Sequence, residues 1–349
     1  EPLALQELAR SWQGRGDLPP ALRAKLFPIE RRNAYTLPNV RLGYAPRQIW
    51  GFQGGVSVVV GHETNLDRSP RLTEITLTLP GGPVELPVLS APRAGAATLA
   101  SGSLLWALSP VPALVMRSGF SVNLRAAPSV RATDWQQAQL SSEALYTAEG
   151  WRAQVDASAA WVGGALNEPY RLTRGGLSAE ALHAACSIRL AIAREQRRQS
   201  NSTRLNATSA IWMVEMRCPL PAAPDWKVSL NLSHGRDRPE SAERPGGRQQ
   251  LQAGAVRLVG PLGPATRLDF NLRYVNVRDS TGYSALLDDN AVRGLALQQR
   301  SVELAHQLDD YGWPGATAVL QWQSAKQVSN LKLFAYRADS YYGGLRWSW

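Results

Sequence analysis

Short segments in which apolar and polar residues alternate recur along most of the chain. The clearest covers residues 266–274, and its apolar face consists of Leu268, Phe270, Leu272 and Tyr274. Its polar face consists of Arg267, Asp269, Asn271 and Arg273. Because successive side chains of a strand point to opposite faces, the pattern predicts a β-strand with one apolar and one charged surface.

Similar segments predict fourteen strands, and they lie near 48–62, 95–109, 113–126, 134–147, 150–163, 175–186, 187–199, 203–217, 226–233, 248–260, 266–274, 293–308, 316–325 and 339–348. Strands that are apolar on one face and polar on the other are typical of a barrel with lipid outside and water inside. The predicted fold is therefore all-β, a transmembrane antiparallel β-barrel of about 14 strands over residues 46–349.

The connections between these strands alternate between short and long. Short turns rich in Gly, Pro or Asp are predicted at 110–112, 149–150, 219–225, 260–265 and 309–315. Longer and more polar connections are predicted at 63–94, 164–174, 234–247, 279–292 and 326–338. Outer-membrane barrels have short periplasmic turns and long extracellular loops. An even number of strands therefore places both termini in the periplasm, with the barrel in the bacterial outer membrane.

The last strand carries its large apolar residues on one face, which consists of Tyr341, Leu345, Trp347 and Trp349. An exposed edge strand of a soluble protein with such a face would invite association, whereas a barrel in lipid requires it. The segment resembles the C-terminal signature of bacterial outer-membrane proteins, which implies that 339–348 pairs with 48–62 to close the barrel. The lipid-facing surface is predicted to include Trp226, Leu230, Phe270, Leu272, Leu345 and Trp347.

The composition changes this picture in two respects. Trp is more frequent than Phe, 12 against 5, as expected where Trp and Tyr form girdles at a membrane interface. The formal net charge is +10, yet the arginines are spread over alternating strand positions and do not cluster on a stripe. We therefore expect outer-membrane lipids as the surroundings and no nucleic-acid partner.

The inward-facing basic residues allow two interpretations. The candidates for the lumen are Arg152, Lys227, Arg267, Arg273 and Arg346. They either select anionic cargo or form a wall network with carboxylates, the nearest of which in the pattern are Asp156, Asp269 and Glu303. The wall network is favoured, because a wide lumen needs polar walls in any case.

The first long connection contains the most distinctive motif, in which Asn65, Asp67 and Pro70 form a turn after the first strand. The turn is followed by a loop rich in Pro and Gly and by the small-residue run 94–97. This arrangement resembles the barrel domain of surface lipoprotein assembly modifiers. Ordinary turn chemistry, in which the Asn and Asp side chains bond nearby backbone N–H groups, explains the same residues and is favoured for them.

The resemblance implies a fourteen-stranded barrel that helps to move exported protein cargo to the cell surface, together with a periplasmic helical-repeat domain or partner. The chain departs from the family at Asp67, where a second Asn is common. Residues 1–45 are too short for tetratricopeptide repeats. Their spacing of Leu and Ala residues predicts a short helical segment that lies in the periplasm, docks in the lumen or is the tail of a larger helical domain.

The two cysteines, Cys186 and Cys218, are predicted at the ends of the strands 175–186 and 203–217, near the same rim. The periplasm is oxidising, so a disulfide is permitted. Strand ends two positions apart lie about 10 Å apart, whereas a disulfide needs Cα atoms within about 7 Å. The bond then requires the turn at Pro219 to bend inward, and both outcomes remain open.

No enzymatic activity, metal or cofactor is expected. The four histidines are His62, His183, His234 and His306, and none has metal-ligand spacing. His234 follows Ser233 and His62 precedes Glu63, but neighbours in a strand point to opposite faces. The leading hypothesis is a translocon-type barrel for surface lipoproteins or other proteins. The alternative is an export porin for exopolysaccharide or a passive channel. A conduit for a cationic polysaccharide would need aromatic and acidic lumen positions, whereas the assigned ones are mostly Arg, Ser, Asn and Lys.

Overall fold

A computed structural model describes residues 50–164, 169–183 and 185–349. The predicted helical segment 1–45 lies outside these residues. Within them, no helix is both long enough and apolar enough to cross a membrane.

Sixteen strands run along the described residues, joined by turns and short 3-10 helices. They are β1 (Trp50–Glu63), β2 (Leu72–Leu79), β3 (Gly82–Ser90), β4 (Gly95–Val111), β5 (Leu114–Ala126), β6 (Trp135–Ala148), β7 (Trp151–Gly164), β8 (Tyr170–His183), β9 (Cys186–Gln199), β10 (Ala207–Leu220), β11 (Ala223–Pro239), β12 (Gln249–Pro261), β13 (Thr266–Gly282), β14 (Val292–Gln307), β15 (Ala316–Ser329) and β16 (Tyr336–Ser348). The short 3-10 helices are Pro128–Thr133, Thr203–Leu205, Asp288–Asn290, Asp309–Tyr311 and Lys332–Phe334.

Fourteen of these strands form one closed antiparallel barrel, and β2 and β3 form a separate hairpin. From β4 to β16 each barrel strand pairs with its neighbour in sequence, and β1 closes the barrel between β16 and β4. In the closing pair, Gly55 lies opposite Ser348 and Glu63 lies opposite Ser340. The predicted strand number and the predicted closure are both confirmed.

Several strands are longer than their apolar pattern predicts. β11 covers Ala223–Pro239 and β13 covers Thr266–Gly282, so both continue well beyond the predicted 226–233 and 266–274. Their outer ends carry polar residues on the outward face, such as Arg236 and Arg278. Backbone hydrogen bonding therefore continues where the apolar alternation has stopped. The hairpin β2–β3 lies within the predicted long connection 63–94 and was missed.

The six residues predicted to face lipid all lie at outward positions of their strands. Leu230, Leu345 and Trp347 are exposed there. Trp226, Phe270 and Leu272 are half-buried on the same outer surface. Gly260 of β12 lies opposite Trp226 of β11, and a Cβ atom at Gly260 would overlap the Trp226 indole ring. The Trp349 ring covers Gly54 in the same way. Aromatic rings thus cover these two glycines of the outer surface.

The two ends of the barrel differ in the length of their connections. At the end that we call the short-turn rim, β6 and β7 are joined by two residues, 149–150, and β10 and β11 by two residues, 221–222. The opposite end, the long-loop rim, carries the connection 64–94 with its hairpin. Trp50 and Trp349 both lie at the short-turn rim, where the backbones of Gly54 and Trp349 exchange two hydrogen bonds of 3.0 and 3.1 Å.

Glycine at position 344 is required by the closing pair, because a Cβ atom there would overlap the carbonyl oxygen of Val58. We predict that Gly344→Ala lowers the free energy of unfolding by about 1–3 kcal/mol, as other overpacked sites do. Gly102→Ala is the matched control, since a Cβ atom at Gly102 has no neighbour within 4 Å. Urea unfolding in lipid vesicles measures both, and equal stability of the two variants would contradict the prediction.

Candidate functional site

The lumen is lined by polar and charged side chains on every barrel strand. The predicted lumen residues Arg152, Lys227, Arg267, Arg273 and Arg346 all occupy inward positions, on β7, β11, β13 and β16. Their environments differ widely. Lys227 and Arg267 are exposed near the short-turn rim, whereas Arg273 is fully buried and Arg346 is 8% exposed.

Most inward arginines form ion pairs with inward carboxylates on the same or nearby strands. These pairs are Arg117–Glu143, Arg125–Glu63, Arg152–Glu180, Arg174–Asp156, Arg217–Glu215, Arg257–Asp269, Arg293–Asp279 and Arg346–Glu303. The positive charge of the lumen is therefore balanced within the wall. Arg273, in contrast, donates from its Nη1 to the amide oxygen of Gln299 at 2.9 Å.

Each of the three carboxylates of the expected wall network has an arginine partner. Asp156 pairs with Arg174, Asp269 with Arg257 and Glu303 with Arg346. The inward face also carries many carboxylates, so it is not mostly Arg, Ser, Asn and Lys. The sequence did not indicate these partners because pairing depends on the register between strands, which the apolar pattern does not specify.

The turn that contains Asn65 folds back onto the barrel wall. The Asn65 Nδ2 donates to the carbonyl oxygens of Ser69 and Arg337 at 2.9 and 3.0 Å, and its Oδ1 accepts from the Ser69 N–H at 3.0 Å. Asp67 Oδ2 accepts from Arg93 Nε at 2.8 Å. Asn65 and Asp67 are 1% and 5% exposed. In this geometry both side chains hold the turn against β16 and against Arg93, just before β4.

A buried polar network lies beside this turn at the long-loop end of the seam between β1 and β16. Glu63 Oε1 accepts from Arg125 Nε at 2.9 Å and from the hydroxyl of Tyr342. The Arg125 guanidinium also donates to the carbonyl oxygens of Thr133 and Leu66 at 2.7 and 3.1 Å. These contacts connect β16, β1 and β5 with the folded-in turn.

Apolar contacts seal the same corner of the lumen. Leu66 from the turn packs with Val59, Ala97, Val130 and Tyr342 in one buried cluster. Leu66 and Val59 are 3% and 4% exposed. The first long connection therefore occupies part of the barrel interior at the long-loop rim.

The hairpin β2–β3 contacts the loops between β13 and β14 and between β15 and β16 at the same rim. Ile75 of the hairpin packs with Tyr283, Leu287, Leu331 and Phe334. The Arg293 guanidinium lies 4.2 Å and 4.9 Å from the ring centroids of Tyr283 and Phe334 and forms an ion pair with Asp279. Two loops and the hairpin thus form one compact structure at the rim.

A cavity of about 140 Å³ lies inside the barrel, beneath the turn that contains Asn65. Its lining includes Ser57, Asn123, Asn271, Gln299 and Gln323. The lining comes from adjacent strands of the barrel, β13–β16, β1, β4 and β5, together with Trp135 of β6 and Arg68 of the turn. Besides the amide and hydroxyl groups, it contains apolar side chains such as Val59 and Leu99.

The two cysteines form a disulfide, with their Cα atoms 4.3 Å apart. Cys186 is the first residue of β9, which pairs directly with β10. The alternation of residues places Cys186 at the end of the preceding strand, and this wrong assignment explains the expected separation of about 10 Å. Ser187 lies opposite Arg217, so the next pair of positions is Cys186 and Cys218.

The structure does not bring the histidines into a catalytic arrangement. Ser233 faces the lumen and His234 faces outward, and Glu63 and His62 are separated in the same way. His306 contacts the hydroxyl of Thr266 at 2.8 Å. In the described part of the chain, no group of three or more His, Cys, Asp or Glu side chains is arranged to hold a metal.

A closed barrel with an apolar outer surface and a charged lumen defines the chain as a transmembrane β-barrel of the outer-membrane class. No known family and no curated protein matches its sequence. Among solved structures it is similar to an outer-membrane-expressed protein, OmpT of Vibrio cholerae, with 10% identity, a TM-score of 0.45 and coverage of 86% of this chain and 97% of that one.

Two further solved structures are also similar. One is the anion-selective porin from Comamonas acidovorans, with 10% identity, a TM-score of 0.42 and coverage of 86% of this chain and 99% of that one. The other is the translocator domain of the autotransporter NalP from Neisseria meningitidis, with 9% identity, a TM-score of 0.30 and coverage of 85% and 88%.

The Glu63 network gives a testable stability difference. Arg125→Met leaves the buried Glu63 carboxylate without its cation, so we expect a loss of about 3–5 kcal/mol in the free energy of unfolding. Arg152→Met is the matched control, because its pair with Glu180 is 3.7 Å long and the Arg side chain is 42% exposed. Arg152→Met should lower the free energy of unfolding by less than about 1 kcal/mol. Urea unfolding measures both variants, and similar losses would contradict this prediction.

The anchoring role of Asn65 is tested by Asn65→Asp, which keeps the shape of the side chain but removes both Nδ2 donations. We expect the turn to detach from β16 and trypsin to cleave after Arg68 or Arg71 at least about tenfold faster, since a lost buried hydrogen bond costs about 1–3 kcal/mol. Asn276→Asp, on the outer surface of β13, is the control. If trypsin cleaves Asn65→Asp no faster than the original protein, contacts other than those of Asn65 hold the turn in place.

Proposed function

We propose that the chain is a translocon-type barrel that assists the export of surface proteins or lipoproteins across the outer membrane, acting through the seam between β1 and β16. The observation that carries this proposal is the concentration of glycine at the seam. Gly55 and Gly61 on β1 and Gly343 and Gly344 on β16 all lie within the paired region.

Glycine weakens a strand because it packs no side chain across the pair. On the inward face of the seam, Gly61 lies opposite Tyr342, and Gly344 lies opposite Val59. On this inward face, side-chain contact between β1 and β16 is therefore concentrated at the long-loop end, where Tyr342 meets Glu63. An inward face held mainly at one end suits lateral opening and strand addition by an extended cargo segment.

The filled corner of the lumen supports the same function. The turn that contains Asn65 and the β2–β3 hairpin both contact the long-loop rim. Anchored turns narrow the lumen there, which favours a gated conduit over one that stays permanently open. The resemblance of the turn to that of surface lipoprotein assembly modifiers favours protein cargo, and it makes a periplasmic helical-repeat domain or partner the expected companion.

The second candidate is a passive channel or an exopolysaccharide porin. It is favoured by the inward faces of β7 and β8, where polar residues such as Gln154, Asp156 and Arg174 are half-buried. A polar wall of this kind also suits small hydrated solutes. In either case we propose that the short-turn rim, with Trp50 and Trp349, faces the periplasm, as in barrels with long extracellular loops.

A disulfide across the seam tests the proposal. Val58 lies directly opposite Leu345 of β16 and also directly opposite Ala100 of β4. Opposed residues of an antiparallel pair lie about 4.5–5.5 Å apart, which is within reach of a disulfide. We expect the pair Val58→Cys and Leu345→Cys to abolish surface display of lipoproteins in cells, measured by protease shaving, and we expect reductant to restore it.

The pair Val58→Cys and Ala100→Cys is the matched control, because it locks the same β1 residue to its other neighbour. Normal surface display in the variant with a locked seam would reject lateral opening.

Deletion of the gene distinguishes the two proposed functions. If secreted polysaccharide disappears while surface proteins stay exposed, the porin function is supported and the translocon function is rejected. A steady conductance in planar bilayers that is unchanged by seam locking would favour the passive channel.

A further inference from the structure

The outer surface near the long-loop rim carries a row of arginines that the lumen and seam do not explain. Arg194 on β9 and Arg236 on β11 both lie opposite Ala210 of β10, and Arg236 and Arg278 on β13 both lie opposite Gln250 of β12. These three arginines, which we call the outer arginine row, are all exposed. They stand on alternate strands, so neighbours in the row are roughly 10 Å apart.

Further arginines extend the row on the same surface. Arg171 on β8 lies directly opposite Arg198 on β9, and Arg238 follows two positions after Arg236. Arg171 stacks over the ring of Trp161 at 5.7 Å. Like charges directly opposite each other on a sheet are destabilising. An anion shared between them would remove this cost.

Carboxylates are scarce on this surface, in contrast to the lumen. None of the described residues forms an ion pair with Arg194, Arg198, Arg236 or Arg278. At outward positions of the described barrel strands the one carboxylate is Asp339, which lies on β16 and pairs with Arg337. Glu240, just after β11, accepts a hydrogen bond from Gln196 at 3.0 Å.

The height of the row matches the boundary of the lipid layer. Directly below it, toward the short-turn rim, the outward residues of β9 are Ile188, Leu190 and Ile192, all exposed. On β11 the apolar surface begins at Trp226, ten residues before Arg236. At about 3.3 Å per residue and a tilt of about 40°, ten residues span roughly 25 Å, which is the height of the apolar band of such barrels.

We propose that the outer arginine row binds the phosphate groups of a phosphorylated lipid in the outer leaflet of the membrane. The acyl chains of that lipid would lie on the apolar surface formed by Ile192, Trp212 and Tyr274, which are 44%, 60% and 52% exposed. Arginine forms bidentate hydrogen bonds with phosphate, and exposed arginines at a membrane surface attract anionic lipid headgroups.

A lipid fits the row better than a soluble protein does. The arginines and the apolar residues form one continuous surface along the same strands, and the apolar part faces lipid by virtue of the closed barrel. A ligand must therefore present phosphate toward the long-loop rim, at the arginines, and hydrocarbon toward the short-turn rim, at the apolar residues. The proposal does not depend on which cargo the barrel transports.

The test compares binding of diphosphoryl lipid A with binding of the same lipid A after removal of both phosphates, using the purified barrel in non-ionic detergent and native mass spectrometry. The variant carries Arg194→Gln, Arg236→Gln and Arg278→Gln. Each surface arginine contributes about a factor of five, so we expect its affinity for diphosphoryl lipid A to fall on the order of 100-fold. The dephosphorylated lipid should bind both proteins equally weakly.

The matched control carries Arg217→Gln, Lys227→Gln and Arg267→Gln, which removes the same charge at the short-turn rim and should bind as the original protein does. Heat-shifted mobility in gels verifies that each variant is folded. An equal loss of affinity for diphosphoryl lipid A in the control variant would show that only the net charge matters, and it would overturn the proposal. So would unchanged binding by the row variant, equal binding of dephosphorylated lipid A, or displacement of the lipid by equimolar inorganic phosphate.

Discussion

The fold depends on one constraint: within the hydrocarbon of a membrane, every backbone N–H and C=O group needs a partner from the protein itself. A sheet meets this constraint when its first and last strands pair, and here β1 pairs with β16 from Gly55 to Glu63. The other features follow from that closure. Apolar side chains must point outward, charged ones must share the lumen, and the closing pair must form although its two strands lie almost 300 residues apart.

The charges of the barrel are distributed in two different ways. In the lumen, arginines and carboxylates of neighbouring strands neutralise each other, as Arg346 and Glu303 do. A buried pair of this kind is costly to break, because the remaining charge has no water to solvate it. On the outer surface near the long-loop rim, arginines such as Arg194 and Arg278 have no such partner in the described residues. In the described part of the chain, these outer arginines thus carry positive charge that the wall does not balance.

The seam combines a weak and a strong part. Its glycines allow the close approach of Val58 and Gly344 but give little side-chain packing. Its long-loop end is held by Glu63, Arg125 and Tyr342. If the seam opens for cargo, the weak part has to separate first, and the network has to rearrange for full opening. Stability and export then depend on the same few residues, which is why seam variants need controls that alter one without the other.

The sequence by itself determined the barrel, its strand number and the direction of most side chains, because the two-residue alternation of segments such as 266–274 records which face meets lipid. It did not determine the ends of β11 and β13, where backbone pairing continues without an apolar face. It also placed Cys186 on the wrong strand, since a turn of two residues shifts the assignment. Only the tertiary structure decided the ion-pair partners and the alignment of Arg194, Arg236 and Arg278, because both depend on the register between paired strands. It also decided the position of the turn at Asn65, which is held by a contact with Arg337, far away in sequence.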